Sequence, residues 1–204
     1  MLIFFFAQLL ASLTRGTLFS GAVNLYPVYW YGIGPETLGV ISTMAGAMGI
    51  PIVFSTGAIM DRFGRKKTVV PGFVLLSLGL AFIAATAFLG LPFEAFVAAF
   101  LVMHAAQNIT SGNMQVIGSD IAPAHVRGKF FGVWRTIGEI GQVASPVAFA
   151  YLAEAYDYGT AFMFLCATAM ATALVLGTLV KEPLKRQAPE GAGAPEPAAA
   201  RTAG

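Results

Sequence analysis

The sequence predicts an all-α integral membrane protein with six transmembrane helices and both termini in the cytoplasm. Only 11% of its 204 residues are charged and 57% are hydrophobic, whereas about a quarter of a soluble domain is charged. Six apolar segments approach or exceed the roughly 20 residues that a helix needs to cross a bilayer. Among the connections between these segments, only every other one contains Lys or Arg.

The six segments follow from the apolar runs and from the residues that interrupt them. They cover about residues 2–30, 37–60, 69–91, 93–119, 130–153 and 160–180. Helices suit these runs because lipid cannot satisfy an open backbone, and because the runs are too long for the strands of a barrel. The first segment is long, and we expect bends at Gly16, Gly21 or Pro27.

The orientation follows from the positions of Lys and Arg. Basic residues lie in 62–67, in 127–129 and after residue 180, whereas 31–36, 90–94 and 154–159 contain none. Basic loops stay on the cytoplasmic side, so both termini are predicted to be cytoplasmic, with the protein in the plasma (inner) membrane. No basic residue precedes the N-terminal apolar run, which we therefore interpret as a retained helix and not a signal peptide.

A helical domain is predicted for residues 1–183, followed by a disordered cytoplasmic tail in residues 184–204. The tail is rich in Ala, Pro, Gly and Glu, a composition that cannot bury a core. We expect no cofactor and no metal, since no ATP-binding motif occurs and His104 has no second His or Cys at ligand spacing. We expect no nucleic acid either, because the basic residues adjoin membrane segments and form no basic face.

The densest charge lies between the second and third segments, in residues 57–67, which we call the charged turn. Gly57 is expected to let the end of its helix approach a neighbour closely. Asp61 stands at the helix end, where a carboxylate can meet an Arg or the N-terminus of another helix. Gly64 permits a tight reversal. The basic residues that follow suit the anionic inner leaflet.

The order of residues in the charged turn resembles the signature of the major facilitator superfamily, G-x-x-x-D-R-x-G-R-[RK]. Every defined position is matched, by Gly57, Asp61, Arg62, Gly64, Arg65 and Lys66. The segment Pro123-x-x-x-Arg127-Gly128-x-x-x-Gly132 is similar to the second cytoplasmic turn of the family. The segment Arg135-Thr136-x-Gly138-Glu139-x-Gly141 is similar to the fifth helix in its drug-antiporter-like branch.

The resemblance covers about residues 1–183 and implies a secondary transporter that works by alternating access. Family members usually have twelve helices in two halves, so this chain looks like one half, more like the C-terminal one. The chain is then a fragment of a longer transporter, or it pairs with a second half from the same or another chain. The resemblance further implies a conformational latch, formed by Gly57, Asp61, Arg62, Gly64, Arg65 and Arg127.

Three charged residues fall inside predicted segments and away from the segment ends. Arg15 lies halfway along the first, and Arg135 and Glu139 share one face of the fifth. A charge at the centre of a bilayer costs about 2.5–3.5 kcal/mol on insertion scales, so such residues usually pair and face a cavity. In one interpretation Glu139 is a protonation site, and Arg15 or Arg135 is its counter-charge or a substrate anchor. In the other, Arg135 and Glu139 form a structural ion pair.

Polar residues also lie along the fourth segment. Gln107, Asn108 and Gln115 are neighbours on a helical wheel, with His104 beside them and Asn113 nearby in sequence. These residues either line a translocation path or form hydrogen bonds between helices. In the fifth segment, small residues at positions 138, 141 and 145 suit close helix packing.

These features predict transport of a small organic solute, drug-like or a metabolite, driven by protons. No ATP-binding motif is present, whereas an acidic residue lies inside a segment. The alternative is a non-transporting membrane scaffold or regulatory partner derived from a half-transporter. An enzyme is not expected, since no segment carries a His-Glu-x-x-His motif, paired catalytic Asp residues or a Gly-x-Ser-Gly dyad.

Overall fold

The apolar segments fold into helices. The structure is a computed structural model that describes residues 2–111, 114–115, 117–118, 122 and 124–179, without the side chains of residues 61, 63 and 124. Within these residues it contains no strand and seven α-helices: α1 (Leu2–Phe19), α2 (Leu25–Tyr31), α3 (Pro35–Phe63), α4 (Arg65–Leu89), α5 (Phe93–Thr110), α6 (Arg127–Ala155) and α7 (Tyr158–Thr178). The predicted tail, 184–204, lies outside the described residues.

Five of these helices, α1, α3, α4, α5 and α7, are long and apolar enough to cross a membrane. They match five of the six predicted segments. The remaining segment corresponds to α6, which has 29 residues but is less apolar because it carries Arg127, Lys129, Arg135, Glu139 and Glu154. The all-helical class is therefore confirmed, whereas the count of six transmembrane helices and the cytoplasmic termini stay predictions.

The first predicted segment is interrupted and is not one continuous helix. α1 ends at Phe19, and Gly21 adopts a left-handed conformation with φ 75° before a short 3-10 helix leads into α2. Only one of the three expected bends is therefore present. Gly16 lies inside α1, and Pro27 lies in the first turn of α2, where a missing N–H costs no helical hydrogen bond.

The fourth predicted segment, 93–119, is also interrupted. α5 ends at Thr110, and Ser111 is extended with φ −68° and ψ 134°. Ser and Gly, which occupy positions 111 and 112, are weaker helix formers than the residues before them. The last carbonyl groups of α5 therefore become available to other donors within the membrane domain.

The six long helices contact one another in the order α3, α5, α4, α7, α1, α6, which we call the packing order, and α4 and α7 share the largest contact. Additional contacts join α3 to α4 and α6 to α7. In terms of the six predicted segments, numbered along the chain, this order is 2, 4, 3, 6, 1, 5. When segments 1, 2 and 3 are exchanged with segments 4, 5 and 6, the same order results, read in the opposite direction. A two-fold relation between two groups of three helices would produce this pattern.

The core lies between α4 and α7, where the largest buried side chains include Phe73, Leu76, Leu80, Phe162 and Leu165. The helices at the two ends of the packing order, α3 and α6, each keep an exposed apolar face. On α3 this face includes Val40, Met44, Met48, Val53 and Phe54, and on α6 it includes Val133, Ile140, Val143, Val147 and Tyr151. Such faces are typical of surfaces that meet lipid or another protein.

Candidate functional site

Arg15 connects α1 to two other helices through its guanidinium group. Nη2 donates a hydrogen bond to the carbonyl of Thr110, the last residue of α5. The guanidinium carbon lies 5.6 Å from the centroid of the Phe73 ring in α4. Backbone contact between α1 and α5 is otherwise sparse in the described part of the chain. The Arg15 side chain therefore links two helices that otherwise contact each other little.

This geometry explains how α1 tolerates a charge that no carboxylate in the described residues neutralises. The C-terminal carbonyls of a helix carry partial negative charge, and an aromatic face attracts a cation. Arg15 Nε is nevertheless buried and has no hydrogen-bond partner among the residues that the structure describes. The described residues also show no ion pair between Arg15 and Glu139, so the two are not brought together as charge and counter-charge.

Arg135 and Glu139 lie together on the surface of α6. Arg135 Nε is 3.6 Å from Glu139 Oε1, and the side chains are 80% and 56% exposed. Exposed pairs of this kind contribute little to stability in water. In a membrane, charges on this face would need a cavity or a covering partner.

The polar residues of α5 divide into two sides. Asn108 faces α3, because a Cβ atom added to Gly49 would lie 2.8 Å from Asn108 Nδ2. The same Nδ2 atom donates a 2.9 Å hydrogen bond to the carbonyl of His104. Gln107 is buried, and its Oε1 atom has no hydrogen-bond partner. Asn108 therefore contributes to helix packing, whereas Gln107 keeps an unused acceptor.

The two polar positions further along the predicted segment add less to this site. Gln115 is exposed, and Asn113 lies outside the described residues. The polar side of α5 that the structure describes therefore ends near Thr110, where Arg15 makes its hydrogen bond.

The interface between α1 and α6 confirms the predicted close packing of the fifth segment. A Cβ atom added to Gly141 would lie 2.7 Å from Ser12 Cβ, so the two helices approach within the space of a methyl group. Ser145 donates to the carbonyl of Leu13, and its hydroxyl lies 2.6 Å from Thr17 Oγ1. These contacts fix α1, which carries Arg15, to α6.

Gln8 of α1 is a buried polar residue that sequence reasoning missed. Its Nε2 atom lies 3.3 Å from Ser12 Oγ, and its Oε1 atom has no partner. A Cβ atom added to Gly138 would lie 2.9 Å from Gln8 Nε2. The available signal was an amide within an apolar segment, opposite a segment rich in small residues.

Tyr26 of α2 was also missed, although an aromatic ring beside a helix break was visible in the sequence. The ring is fully buried, and its hydroxyl lies 3.3 Å from Thr86 Oγ1 and 3.4 Å from the hydroxyl of Tyr31. Neighbouring rings from α5 and α7, Phe96 and Phe162, contact it edge to face. Tyr26 thus joins α2 to three membrane helices.

The charged turn agrees with its prediction at Gly64. This residue alone separates α3 from α4, with φ 97° and ψ 155°, and its N–H donates to the Met60 carbonyl at 3.1 Å. A Cβ atom added to Gly57 would meet no atom within 4 Å in the described part of the chain, where α3 lies at the end of the packing order. The close approach of a neighbour at Gly57 therefore stays a prediction.

The other latch residues lie at the ends of helices. Arg62 is exposed in the last turn of α3, Arg65 begins α4, and Arg127 begins α6. The side chain of Asp61 lies outside the described part, so the latch itself stays a prediction.

Comparison with protein families identifies the chain. The family model of the Major Facilitator Superfamily matches residues 4–203, a range that also extends past the predicted domain boundary at residue 183. No curated protein gives a significant match. Members of the family are solute transporters and not enzymes, and they sit in the lipid bilayer. The match and the apolar helices together support an integral membrane protein. The chain therefore belongs to the Major Facilitator Superfamily.

Proposed function

We propose that this chain forms one half of a secondary transporter that moves a small organic solute across the plasma membrane by alternating access, coupled to protons. Family membership supports transport of a solute in general. The observation that carries the finer proposal is the unequal burial of the helices. α3 and α6 lie at the two ends of the packing order and expose apolar faces, as expected of a helix bundle that meets a second bundle.

Alternating access needs two bundles that rock against each other around a central site. In this proposal, a second six-helix half covers the exposed faces of α3 and α6. It would also cover the Arg135–Glu139 pair, which is costly on a surface that faces lipid. The site between the halves would then contain both the exposed charges of α6 and the guanidinium of Arg15.

The proposed path for solute and protons uses Arg15, Gln107, Asn108, Arg135 and Glu139. Arg15 and Gln107 support it most strongly, because each has a buried polar atom without a partner. Glu139 is the proposed proton carrier, since it is an acidic residue on a membrane segment and an Arg lies beside it. Asn108 would position its helix against α3.

The proposed latch holds the charged turn in one conformational state. The carboxylate of Asp61 would contact a cationic group or a helix N-terminus in one state and release it in the other. Arg127 is the proposed partner of Asp61, because it begins α6 and belongs to the second of the basic connections, residues 127–129. Gly57 offers open space on the same helix, into which the second half could move.

Reconstitution into proteoliposomes tests the proposal. The chain is assayed alone and with a candidate second half, with an imposed pH gradient and a panel of anionic, neutral and cationic solutes. We expect flux only when both halves are present, and we expect a protonophore to abolish it. If the complete pair moves no solute, but the chain stabilises the second half, the scaffold alternative replaces transport.

A further inference from the structure

The charge of Arg15 is incompletely compensated within the described residues. Its guanidinium donates one hydrogen bond to the carbonyl at the end of α5 and lies near one aromatic ring. No carboxylate in the described part pairs with it, and Glu139 is paired with Arg135 instead. Arg15 Nε is buried and finds no hydrogen-bond partner among the described residues.

A helix C-terminus supplies roughly half an elementary charge, and an aromatic face supplies none, so a net positive charge remains. Ionised groups inside a membrane protein usually mark a solute or ion pathway. A guanidinium matches a carboxylate particularly well, because its planar donors can engage both oxygens. A carboxylate would satisfy the unused Nε donor and neutralise the charge in one contact.

An anion would reach Arg15 between α1 and α5, which contact each other little. Arg15 as a whole is only partly buried. Gln107 lies one turn before Thr110 on α5, and its buried Oε1 atom has no partner in the described part of the chain. The apolar ring of Phe73 lies beside the guanidinium.

We propose that Arg15 binds the carboxylate of a small organic anion between α1 and α5, with the apolar part of the anion against the surrounding helices. This inference rests on the proposed function, because it names the class of solute that the transporter would carry. The proposal concerns binding, so it can be tested without transport.

The test measures binding of benzoate and benzamide to the full chain in phosphatidylcholine nanodiscs at pH 7. The two probes have similar size and the same ring, but only benzoate is charged. Equilibrium dialysis with labelled probes, corrected with empty nanodiscs, gives the two affinities. We expect benzoate to bind at least about tenfold more tightly than benzamide, the ratio typical of one hydrogen-bonded charge pair.

Variants assign that preference to Arg15. Arg15→Gln should abolish it, and Arg15→Lys should weaken benzoate binding several-fold, because a lysine lacks Nε and the fork. Lys129→Gln, which removes an exposed basic residue outside the proposed path, should keep the wild-type preference. Circular dichroism and thermal unfolding show whether each variant remains folded.

Equal binding of the two probes by the wild-type chain overturns the inference, as does a preserved preference in folded Arg15→Gln. If Arg15→Gln does not fold, unchanged benzoate affinity in Arg15→Lys overturns it. Such results leave the transport proposal standing if neutral or cationic solutes show flux. Carboxylate binding through Arg15 without flux by the paired halves supports the anion site and refutes transport.

Discussion

At the scale of single residues, sequence patterns predict backbone requirements better than they predict partners. Gly64 was identified from its place in a tight reversal, and its φ of 97° is a conformation that L-residues avoid. The partner of Arg15 could not be predicted, because Thr110 is 95 residues away and its carbonyl is free only where α5 ends. Gln8 was missed because a single amide in an apolar run does not form a sequence pattern that predicts a contact.

Gly64→Ala should destabilise the connection between α3 and α4. A Cβ atom disfavours positive φ by roughly 1–2 kcal/mol. Unfolding in mild detergent, followed by circular dichroism, measures the change. Gly34→Ala is the control, since Gly34 has φ −79° and no atom lies within 4 Å of the added Cβ. Equal stability of the two variants would contradict a conformational role for Gly64.

At the scale of helices, composition determines that the segments are helical, but not where they break. Lipid leaves few alternatives to a helix, so the type of element follows from apolar length alone. The interruption at Gly21 was among the expected bends, whereas the end of α5 at Thr110 was not. That end has a partner in α1, so it depends on a contact that local sequence does not encode.

Gly141→Ala should weaken the packing of α1 against α6. The new methyl group would lie 2.7 Å from Ser12 Cβ and 3.1 Å from the Leu9 carbonyl oxygen, so the helices must separate. We expect a loss of roughly 1–3 kcal/mol in unfolding free energy, as for other overpacked interfaces. Steric-trap or detergent unfolding provides the measurement.

Gly132→Ala makes the same change on the same helix, at a position where no atom lies within 4 Å of the added Cβ. Because Ala favours a helix by about 1 kcal/mol over Gly, this control should be neutral or stabilising. A Gly141→Ala variant as stable as the control would show that α1 and α6 can separate without cost.

At the scale of the whole molecule, the fold was more predictable than the site. The reason is the packing order of the helices, which decides the side of a helix on which each residue lies. Alternating basic connections predict the number of segments and their direction, and the observed helices agree for five of them. The candidate residues of the solute path were chosen from the sequence by polarity and charge, and polarity does not distinguish the two sides of α5. Asn108 contacts α3, whereas its neighbour Gln107 is left with an unused acceptor.

Glu139→Gln should abolish the dependence of transport on a pH gradient while leaving exchange of solute down its own gradient. The amide preserves the size of the side chain but cannot carry a proton at this site. Proteoliposomes that contain both halves give the measurement, with Glu154→Gln on the same helix as the control. A variant with unchanged proton coupling would favour the structural role of the Arg135–Glu139 ion pair.

Asp61→Asn should slow transport by the complete pair at least several-fold without reducing membrane insertion. The amide keeps the shape of the side chain but loses the charge that the proposed latch needs, so one conformational state loses its stabilising contact. Glu36→Gln provides the control, because it neutralises a carboxylate in the first turn of the same helix, at its opposite end. Initial rates of solute flux, normalised to the inserted protein, compare the variants. If Asp61→Asn matches Glu36→Gln and the wild type in rate, the charged turn orients the chain in the membrane and does not act as a latch.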